Sequence, residues 1–472
     1  MKIVIEKTCF ALVFSALISG CVMGPDYQRP AIDLPDAPAQ RIVSPDALKP
    51  AVTTPWWMSF NDAELNRVID EALKNNLDLA IAAARISESQ AQLGLVASDQ
   101  TPVAYAAASR ARNRNSEASS NSGPGQPVQS TTNRLTLNVS YEIDFWGKYR
   151  RASEAAHAEL LSVEANRDAL RLLLTAQVAQ GYFNLVALDA RIAALGHGIQ
   201  RGEEALAMQK KRFEAGVISE FDYQQRVAEL DAGRVQLPPL QSQRGNQERA
   251  LALLLGRSPR DVITRKMERN AVIAPATTLA VPILPIGIAS EKLLRRPDIV
   301  EAEQILIAAN ARIGVARAAY FPSISLTGLF GGESSALGDL FSGPARVWNF
   351  AGNLTQPLWG AGRVNRQVEA SQARNEQALV QYKRAITNAF RDAQDAIQAQ
   401  ASAREVFEIE TRRVASLGKT WTLAKLRYEH GVASQLDVID AERGLLQAEL
   451  NRIEAERGMR AAVADLYKAI GG

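Results

Sequence analysis

The sequence predicts a mixed α and β fold with two internal repeats, and three observations support this prediction. An eleven-residue turn occurs twice: Arg212–Asp222 reads RFEAGVISEFD and Arg427–Asp437 reads RYEHGVASQLD. A helical pattern without proline precedes each copy of the turn, over 148–215 and 364–430. Apolar residues alternate with polar residues in Leu135–Phe145, which predicts a β-strand of about ten residues.

The repeated turn reverses the chain between two helices. Gly216 and Gly431 suit the first position after a helix, where the backbone turns left-handed and a Cβ is costly. Ser219 and Ser434 suit the N-cap of the next helix, and the aspartate three residues after each serine can complete a capping box. Each turn is therefore predicted to be the tip of a helical hairpin.

The N-terminal residues predict a lipoprotein signal peptide over residues 1–20. Two lysines lie near its start, and its apolar segment, Phe10–Ile18, is too short to span a bilayer. The segment leads into Ile18-Ser19-Gly20-Cys21, which resembles a lipobox. We therefore predict that Cys21 carries a diacylglycerol and a palmitate, and we expect no other cofactor. The next residue is Val22 and not aspartate, which is typical of lipoproteins sorted to the outer membrane.

The elements follow the same order in both repeats. A proline-rich, extended arm at 21–61 precedes the first repeat at 62–256, and a proline-rich linker at 257–288 leads to the second repeat at 289–472. At 1.5 Å per residue each long helix measures roughly 100 Å, which favours a coiled-coil projection over a compact domain. After an initial helix in each repeat, the predicted bounds are strand pair 102–145, long helix 148–215, tip 216–219 and helix 219–255 in the first, and strand pair 322–358, long helix 364–430, tip 431–434 and helix 435–470 in the second.

The predicted strands limit how the chain can cross a membrane. Beyond the signal peptide no apolar run is long enough for a transmembrane helix, so any membrane-spanning part must consist of β-strands. Four strands cannot close a membrane barrel, which needs at least about eight. Two copies of the chain would give eight strands and three copies would give twelve, and the strand lengths do not choose between them.

The composition argues against nucleic-acid binding and against catalysis. The formal net charge is only +3, and no acidic or basic block occurs. Cys9 and Cys21 both lie near the N-terminus, so they provide neither a disulfide framework nor a zinc site. The histidines His157, His197 and His430 have no metal-ligand spacing and no cysteine partner. We therefore predict that the chain is not an enzyme.

Several further motifs occur in a characteristic order along the chain. They are Gly24–Tyr27 with Arg29-Pro30, Asp144–Lys148, Leu293–Ile299 continuing through Glu301, Ala302, Glu303, Gly314 and Ala316 to Phe321-Pro322, Gln356–Gly360, and the two Gly-Val-x-Ser tips. With these motifs the whole chain after the signal peptide resembles the TolC-type outer-membrane factors, in particular the lipoprotein branch that includes OprM and NodT.

The resemblance implies a fold and a function. The fold would be a homotrimer with a twelve-stranded β-barrel, four strands per chain, continuous with a long α-helical coiled-coil barrel. The protein would lie in the outer membrane of a Gram-negative bacterium and project into the periplasm. It would be the exit duct of a tripartite efflux system, joined through a periplasmic adaptor (a membrane fusion protein) to an inner-membrane pump of the RND type, and would pass drugs or other toxic small molecules.

Two alternatives to this function stay open. Within the same family, the duct would serve a type I protein secretion exporter. Outside it, the chain would be a lipid-anchored periplasmic coiled-coil protein without a pore, an interpretation that the alternating strand and the duplicated strand pairs argue against.

The resemblance also implies a gate and a docking surface at the tips. The family's gate motif matches Arg427, Tyr428 and Asp440, whereas the first-half counterpart of the acid is Gln225. Three copies of Asp440 would form a ring of negative charge, and Arg427 would link neighbouring chains. The alternative is a solvated surface pair worth under about 1 kcal/mol. The adaptor would dock at both tips, on Gly216, Val217, Ser219, Gly431, Val432 and Ser434.

Overall fold

The computed structural model describes residues 22–33, 55–116, 128–264, 290–358 and 361–472. Within these ranges the helices are α1 (Ala63–Asn75), α2 (Leu77–Ser98), α3 (Lys148–Glu214), α4 (Glu220–Arg234), α5 (Leu237–Leu254), α6 (Pro259–Thr264), α7 (Ser290–Leu293), α8 (Pro297–Ala318), α9 (Ala361–Glu429) and α10 (Gln435–Ile470). The strands are β1 (Val103–Arg114), β2 (Gln129–Glu142), β3 (Ser323–Ser334) and β4 (Arg346–Thr355).

The chain divides into two compact units, and each takes segments from both predicted repeats. Of the described residues, one unit contains those within 1–32, 85–164 and 301–383, and the other contains those within 33–84, 165–300 and 384–472. The two long helices, α3 with 67 residues and α9 with 69, each contribute to both units. The repeats are therefore units of sequence, whereas each compact unit joins matching parts of the two repeats.

The first unit contains one antiparallel sheet in the order β1-β2-β3-β4. Because successive residues of a strand point to opposite sides, the sheet has one apolar and one polar face. The apolar face carries Ala104, Ala106, Ala108, Leu135, Leu137, Val139, Leu326, Phe330, Trp348, Phe350 and Leu354. The polar face carries Ser109, Arg134, Thr136, Asn138, Ser140, Thr327, Glu333 and Asn349. The connection from β3 to β4, residues 335–345, is called the β3–β4 loop below.

The strand prediction for Leu135–Phe145 was right in type and wrong at both ends, because β2 already begins at Gln129 and stops at Glu142. β2 stops at Glu142 because the next residues prepare the start of α3. The Asp144 carboxylate accepts hydrogen bonds from the backbone N–H of Tyr149, at 3.2 Å, and of Arg150, at 2.8 Å. A carboxylate at a helix N-terminus satisfies free N–H groups and is favoured by the helix dipole.

The second unit contains a core of helices around the segment after the arm. The arm was predicted to be extended through residue 61, but Trp56–Phe60 forms a 3₁₀ helix whose Trp56, Trp57 and Phe60 are buried. Trp56 stacks on Tyr467 of α10 with ring centroids 5.3 Å apart. The other core side chains come mainly from α1, α3, α5 and α10 and include Leu65, Val68, Ile69, Val178, Leu185, Leu251, Leu255 and Val463. Burial of the aromatic rings therefore outweighs the extended preference of the prolines before them.

The predicted linker needs one correction. Pro259–Thr264 forms the short helix α6, so the linker 257–288 is not irregular throughout, and 265–289 lie outside the described residues. The helix predicted for 219–255 was expected to be interrupted at Pro238-Pro239, and it is divided there into α4 and α5. The two prolines occupy the first turn of α5, where their missing N–H groups cost nothing. Among the described residues, no helix has the length and apolar character needed to cross a membrane.

Candidate functional site

Both hairpin tips have the predicted turn. Gly216 has φ +73° and Gly431 has φ +70°, values that L residues with a side chain rarely adopt. Ser219 and Ser434 each form a complete capping box with the aspartate three residues later. The backbone N–H of Val217 donates a hydrogen bond to the carbonyl oxygen of Arg212 at 2.8 Å. In the second tip, the N–H of Val432 donates in the same way to the carbonyl oxygen of Arg427 at 2.9 Å. The predicted turn chemistry is thus confirmed at both sites.

The tips expose apolar side chains. Val217 is 62% exposed and Val432 is 64% exposed, and both follow the turn glycines directly. Phe221 is 75% exposed and Leu436 is 48% exposed, at equivalent positions of the repeated turn. Sequence reasoning missed this second pair, although its position in the repeat was a usable signal. Each tip therefore presents two apolar side chains to its surroundings.

Tyr428 joins the second hairpin to the first. Its hydroxyl accepts hydrogen bonds from Arg212, at 2.7 Å, and from Gln209, at 3.0 Å. The Arg212 guanidinium also lies 5.6 Å from the centre of the Tyr428 ring. The first-half counterpart of this tyrosine is Phe213, which stacks on Tyr223 of its own hairpin with centroids 5.3 Å apart. Only the second tip therefore reaches across to its neighbour through this position.

Arg427 and Asp440 are both exposed and do not pair with each other. Asp440 lies 3.7 Å from Arg443, one helical turn away, and its side chain is 60% exposed. For Arg427, no side-chain hydrogen bond or ion pair occurs within the part of the chain that the structure describes. Its positive charge does contribute to a lowered pKa at Asp437, where the hydrogen bonds from Ser434 are the main cause. Within one chain, these two of the three predicted gate residues are therefore exposed and available to another chain.

Two further ion pairs hold the hairpins together, and sequence reasoning did not find them. Arg226 has a side chain that is only 5% exposed, and both terminal nitrogens lie 3.0 Å from the Glu442 carboxylate. Arg443 donates to both oxygens of Glu229 on α4. The repeat gave no signal, because the counterpart of Arg226 in the second half is Ala441.

The segment after the predicted lipid site is bound to the sheet-bearing unit. Cys21 itself lies outside the described residues, but the N–H of Met23 donates to the carbonyl of Trp146 at 3.0 Å. Gly24 packs closely on Gly314, because a Cβ added to Gly24 would lie only 2.5 Å from the Cα of Gly314. Farther along, Arg29 forms a two-pronged ion pair with Glu303 of α8 at 2.6 Å. Several motifs that support the resemblance thus meet in space.

No cluster of His, Cys, Asp or Glu among the residues that the structure describes could hold a metal ion. The candidate site therefore consists of the two tips, the exposed apolar face of the sheet and the bound segment after Cys21. These parts offer surfaces for other protein chains and for lipid.

Comparison with known proteins gives a consistent result over the full length. The model of the outer membrane efflux protein family matches residues 68–257 and 288–472. The cation efflux system protein CusC of Escherichia coli is 32% identical over 470 residues, covering 98% of this chain and 98% of that protein. The toluene efflux pump outer membrane protein TtgC of a Pseudomonas putida strain is 32% identical over 472 residues, covering 99% and 96%. The crystal structure of the Campylobacter jejuni CmeC outer membrane channel superposes with a TM-score of 0.88 at 28% identity, covering 96% of this chain and 95% of that one.

Proposed function

The chain belongs to the outer membrane efflux protein family, and from this premise we propose that it is the exit duct of a tripartite efflux system. Three copies enclose a channel that receives small molecules from an inner-membrane pump of the RND type through a periplasmic adaptor. The observation that carries this proposal is the four-stranded sheet with an exposed apolar face and a polar opposite face.

The sheet supports membrane insertion and a trimer. Trp348, Phe350 and Leu354 are 69%, 74% and 68% exposed, a cost in water that burial in lipid would remove. The strands contain 10 to 14 residues, which matches the roughly 9–11 residues of a tilted membrane strand. Among the described strands, β1 and β4 each have one edge without a partner, and an unpaired edge in hydrocarbon costs several kcal/mol per group. Three copies of the sheet, joined β4 to β1, give twelve strands without an edge.

The long helices support a periplasmic extension of the channel. With 67 and 69 residues, α3 and α9 each measure roughly 100 Å at 1.5 Å per residue. On α9 the seam of Tyr382, Ile386, Ala389 and Ala393 is buried, and these residues recur at three- and four-residue intervals. Helices of this kind are suited to the wall of a helical tunnel.

The second tip supports a gate. In a trimer, three exposed Asp440 carboxylates near the axis form the negative ring, and the free Arg427 guanidinium reaches a neighbouring chain. Tyr428 holds the same tip to the first hairpin through Arg212 and Gln209. Opening then requires the second hairpin to leave the first one.

The adaptor docks at the tips, and a lipid holds the N-terminus. Val217 and Val432 with their turn glycines and N-cap serines provide the docking surface, supported by their exposure. Cys21 receives the lipid, supported by the position of Val22. A Cβ on Gly147, between β2 and α3, would lie 3.0 Å from a Val22 side-chain carbon. The lipid would therefore enter the membrane near the end of the sheet where the helices begin.

Small molecules are the proposed substrate class. Relatives with the same 32% identity are named for cations and for toluene, so the duct itself carries little of the selectivity. Protein export through a type I exporter is the second candidate, and no feature of the described residues favours it. No catalytic step is proposed.

Conductance in planar lipid bilayers tests this function. We expect small, cation-preferring currents from the wild type and much larger currents from Asp440→Ala and Arg427→Ala. Arg412→Ala, another exposed arginine of α9, is the matched control and should behave like the wild type. Equal, large currents from all four proteins would reject the gate. A folded oligomer without any current would reject the duct.

A further inference from the structure

The β3–β4 loop folds back over the apolar face of the sheet. Leu340 in this loop is 8% exposed and lies above Gly332, where a Cβ would come within 2.3 Å of the Leu340 carbonyl oxygen. Asn133 fixes the start of the loop by donating to the carbonyl oxygens of Ser334, at 3.2 Å, and Ser335, at 3.1 Å. Glycine at position 332 is therefore what allows the loop to rest on the strands.

Two open cavities border this loop, and Leu340 lines both of them. The larger has a volume of about 510 Å³ and is bordered by Arg346, with apolar walls from Leu135, Leu137, Phe330, Leu340 and Phe341. The smaller has about 320 Å³ and is bordered by Arg110, Asn133 and Leu337. Volumes of roughly 300–1,000 Å³ are typical of small-molecule sites.

Three polar groups at the cavities lack a partner among the described residues, whereas Arg134, at the smaller cavity, pairs with Glu333. Arg110 and Arg346 are exposed, and neither forms an ion pair with any residue that the structure describes. Asp339, the one acidic residue of the loop, pairs with neither arginine. Asn133 is 2% exposed, and its side-chain oxygen has no hydrogen-bond partner within the described ranges. The site thus combines apolar walls with two arginines, Arg110 and Arg346, that have no ion-pair partner among the described residues. It also contains the buried Asn133 side-chain oxygen, which accepts no hydrogen bond there.

We propose that the two cavities bind one acylated membrane lipid that carries phosphate. This inference rests on the proposed function, which places the apolar face in hydrocarbon and the loop end of the sheet at the outer surface. Acyl chains fill the cavities, and phosphate oxygens accept hydrogen bonds from Arg346 and Arg110, since guanidinium groups bind phosphate in two-pronged geometry.

Another occupant for the cavities is residues 117–127, which lie outside the described residues. Their sequence, EASSNSGPGQP, contains no large apolar side chain. Such a segment gains little by entering cavities with apolar walls, because the gain scales with the apolar area buried. A lipid is the better chemical match.

Native mass spectrometry of the oligomer in detergent, with three probes, tests the lipid site. Dimyristoyl phosphatidic acid should bind and raise the thermal unfolding midpoint of the protein. Dimyristoylglycerol, which lacks the phosphate, and glycerol 3-phosphate, which lacks the acyl chains, should both bind more weakly. Arg110→Gln with Arg346→Gln should weaken phosphatidic acid binding about tenfold, in line with the loss of charge-assisted hydrogen bonds. Arg112→Gln, on the same strand but outside both cavities, should leave it unchanged. Gly332→Ala should displace the loop and weaken binding while both arginines stay.

Besides a failure to bind phosphatidic acid, three results would overturn the proposal. They are binding of dimyristoylglycerol as tight as that of phosphatidic acid, equal binding of glycerol 3-phosphate, and phosphatidic acid binding only after deletion of 117–127. Conductance separates this inference from the proposed function. A protein that forms channels but does not bind phosphatidic acid contradicts the lipid site alone, whereas a protein that forms no channel contradicts the duct as well.

Discussion

The two hairpin tips have the same backbone and different neighbours. Gly216 and Gly431 have φ angles within a few degrees of each other, and both turns are closed by complete capping boxes. The side chains around them diverge: Arg212 is bound to Tyr428, whereas the equivalent Arg427 is free within the described part of the chain. Duplication therefore kept what the turn requires and changed what the tips contact.

Two of the differences between the tips bear on how the hairpins contact their surroundings. Phe213 stacks inside its own hairpin, and its counterpart Tyr428 uses its hydroxyl to bind across to the other. Gln225 stands where the second hairpin has Asp440. The first hairpin is thus a support, and the second carries the charges proposed to gate the channel. Four predictions test this division, from the largest expected effect to the smallest.

The buried ion pair between the hairpins should have the largest effect on stability. Arg226→Ala would leave the Glu442 carboxylate without its partner in a largely buried position, a change that costs about 3–5 kcal/mol. Hydrogen exchange of the tip amides should report this loss as faster local opening. Arg443→Ala removes the exposed pairs with Glu229 and with Asp440, and the pair with Glu229 should contribute under about 1 kcal/mol. Equal effects of the two variants would mean that burial does not distinguish the pairs.

Tyr428→Phe should open the second tip without changing its turn. It removes the acceptor of hydrogen bonds from Arg212 and Gln209, and a hydrogen bond to a charged group contributes about 1.5–3 kcal/mol. The closed-to-open ratio should then fall by roughly ten- to a hundredfold. The measurement is open probability in planar bilayers.

The control for this variant lies in the first tip. Phe213→Tyr adds a hydroxyl at the equivalent position, where the ring stacks on Tyr223, and should leave open probability unchanged. A wild-type open probability in Tyr428→Phe would show that this contact does not hold the gate closed.

Gly216→Ala and Gly431→Ala should have equal, moderate effects. Among the described residues, no atom beyond the glycine's own chain neighbours lies within 4 Å of a Cβ at either position, so the cost is the left-handed backbone, about 1–2 kcal/mol. Gly418→Ala, within helix α9 and also without a near neighbour, should instead stabilise by about 0.5–1 kcal/mol. Local hydrogen exchange measures all three. A large difference between the two tip variants would contradict the shared backbone.

The capping box of the second tip should give a small dependence on pH. Hydrogen bonds from Ser434, with a smaller contribution from Arg427, lower the pKa of Asp437 below its ordinary value. A carboxyl group whose pKa is lower in the folded state contributes stability above its unfolded pKa and loses it as pH falls through the folded pKa. The protection factors of the tip amides, which correct for the intrinsic pH dependence of hydrogen exchange, should therefore fall in acid. Ser434→Ala should reduce this dependence, and an unaltered pH profile in that variant would reject the assignment.

Much of the candidate site was predictable from sequence because its rules are local. A glycine with positive φ and a serine three residues later are determined by a few neighbouring positions, as are alternation in a strand and continuity of a long helix. The family and the outer-membrane location were predicted from the resemblance of the motifs, and the family match supports both. The 3₁₀ helix at Trp56–Phe60 was missed, because its stability depends on Tyr467, more than 400 residues away in sequence.

The sequence by itself determined the turns, the helices, the strands and the repeat that relates them. Tertiary structure alone decided that Arg226 meets Glu442, that Tyr428 binds Arg212, and that the β3–β4 loop rests on the sheet to form two cavities. The physical reason is distance along the chain. Local conformation follows from neighbouring residues, whereas an ion pair or a cavity exists only after folding brings separate segments together.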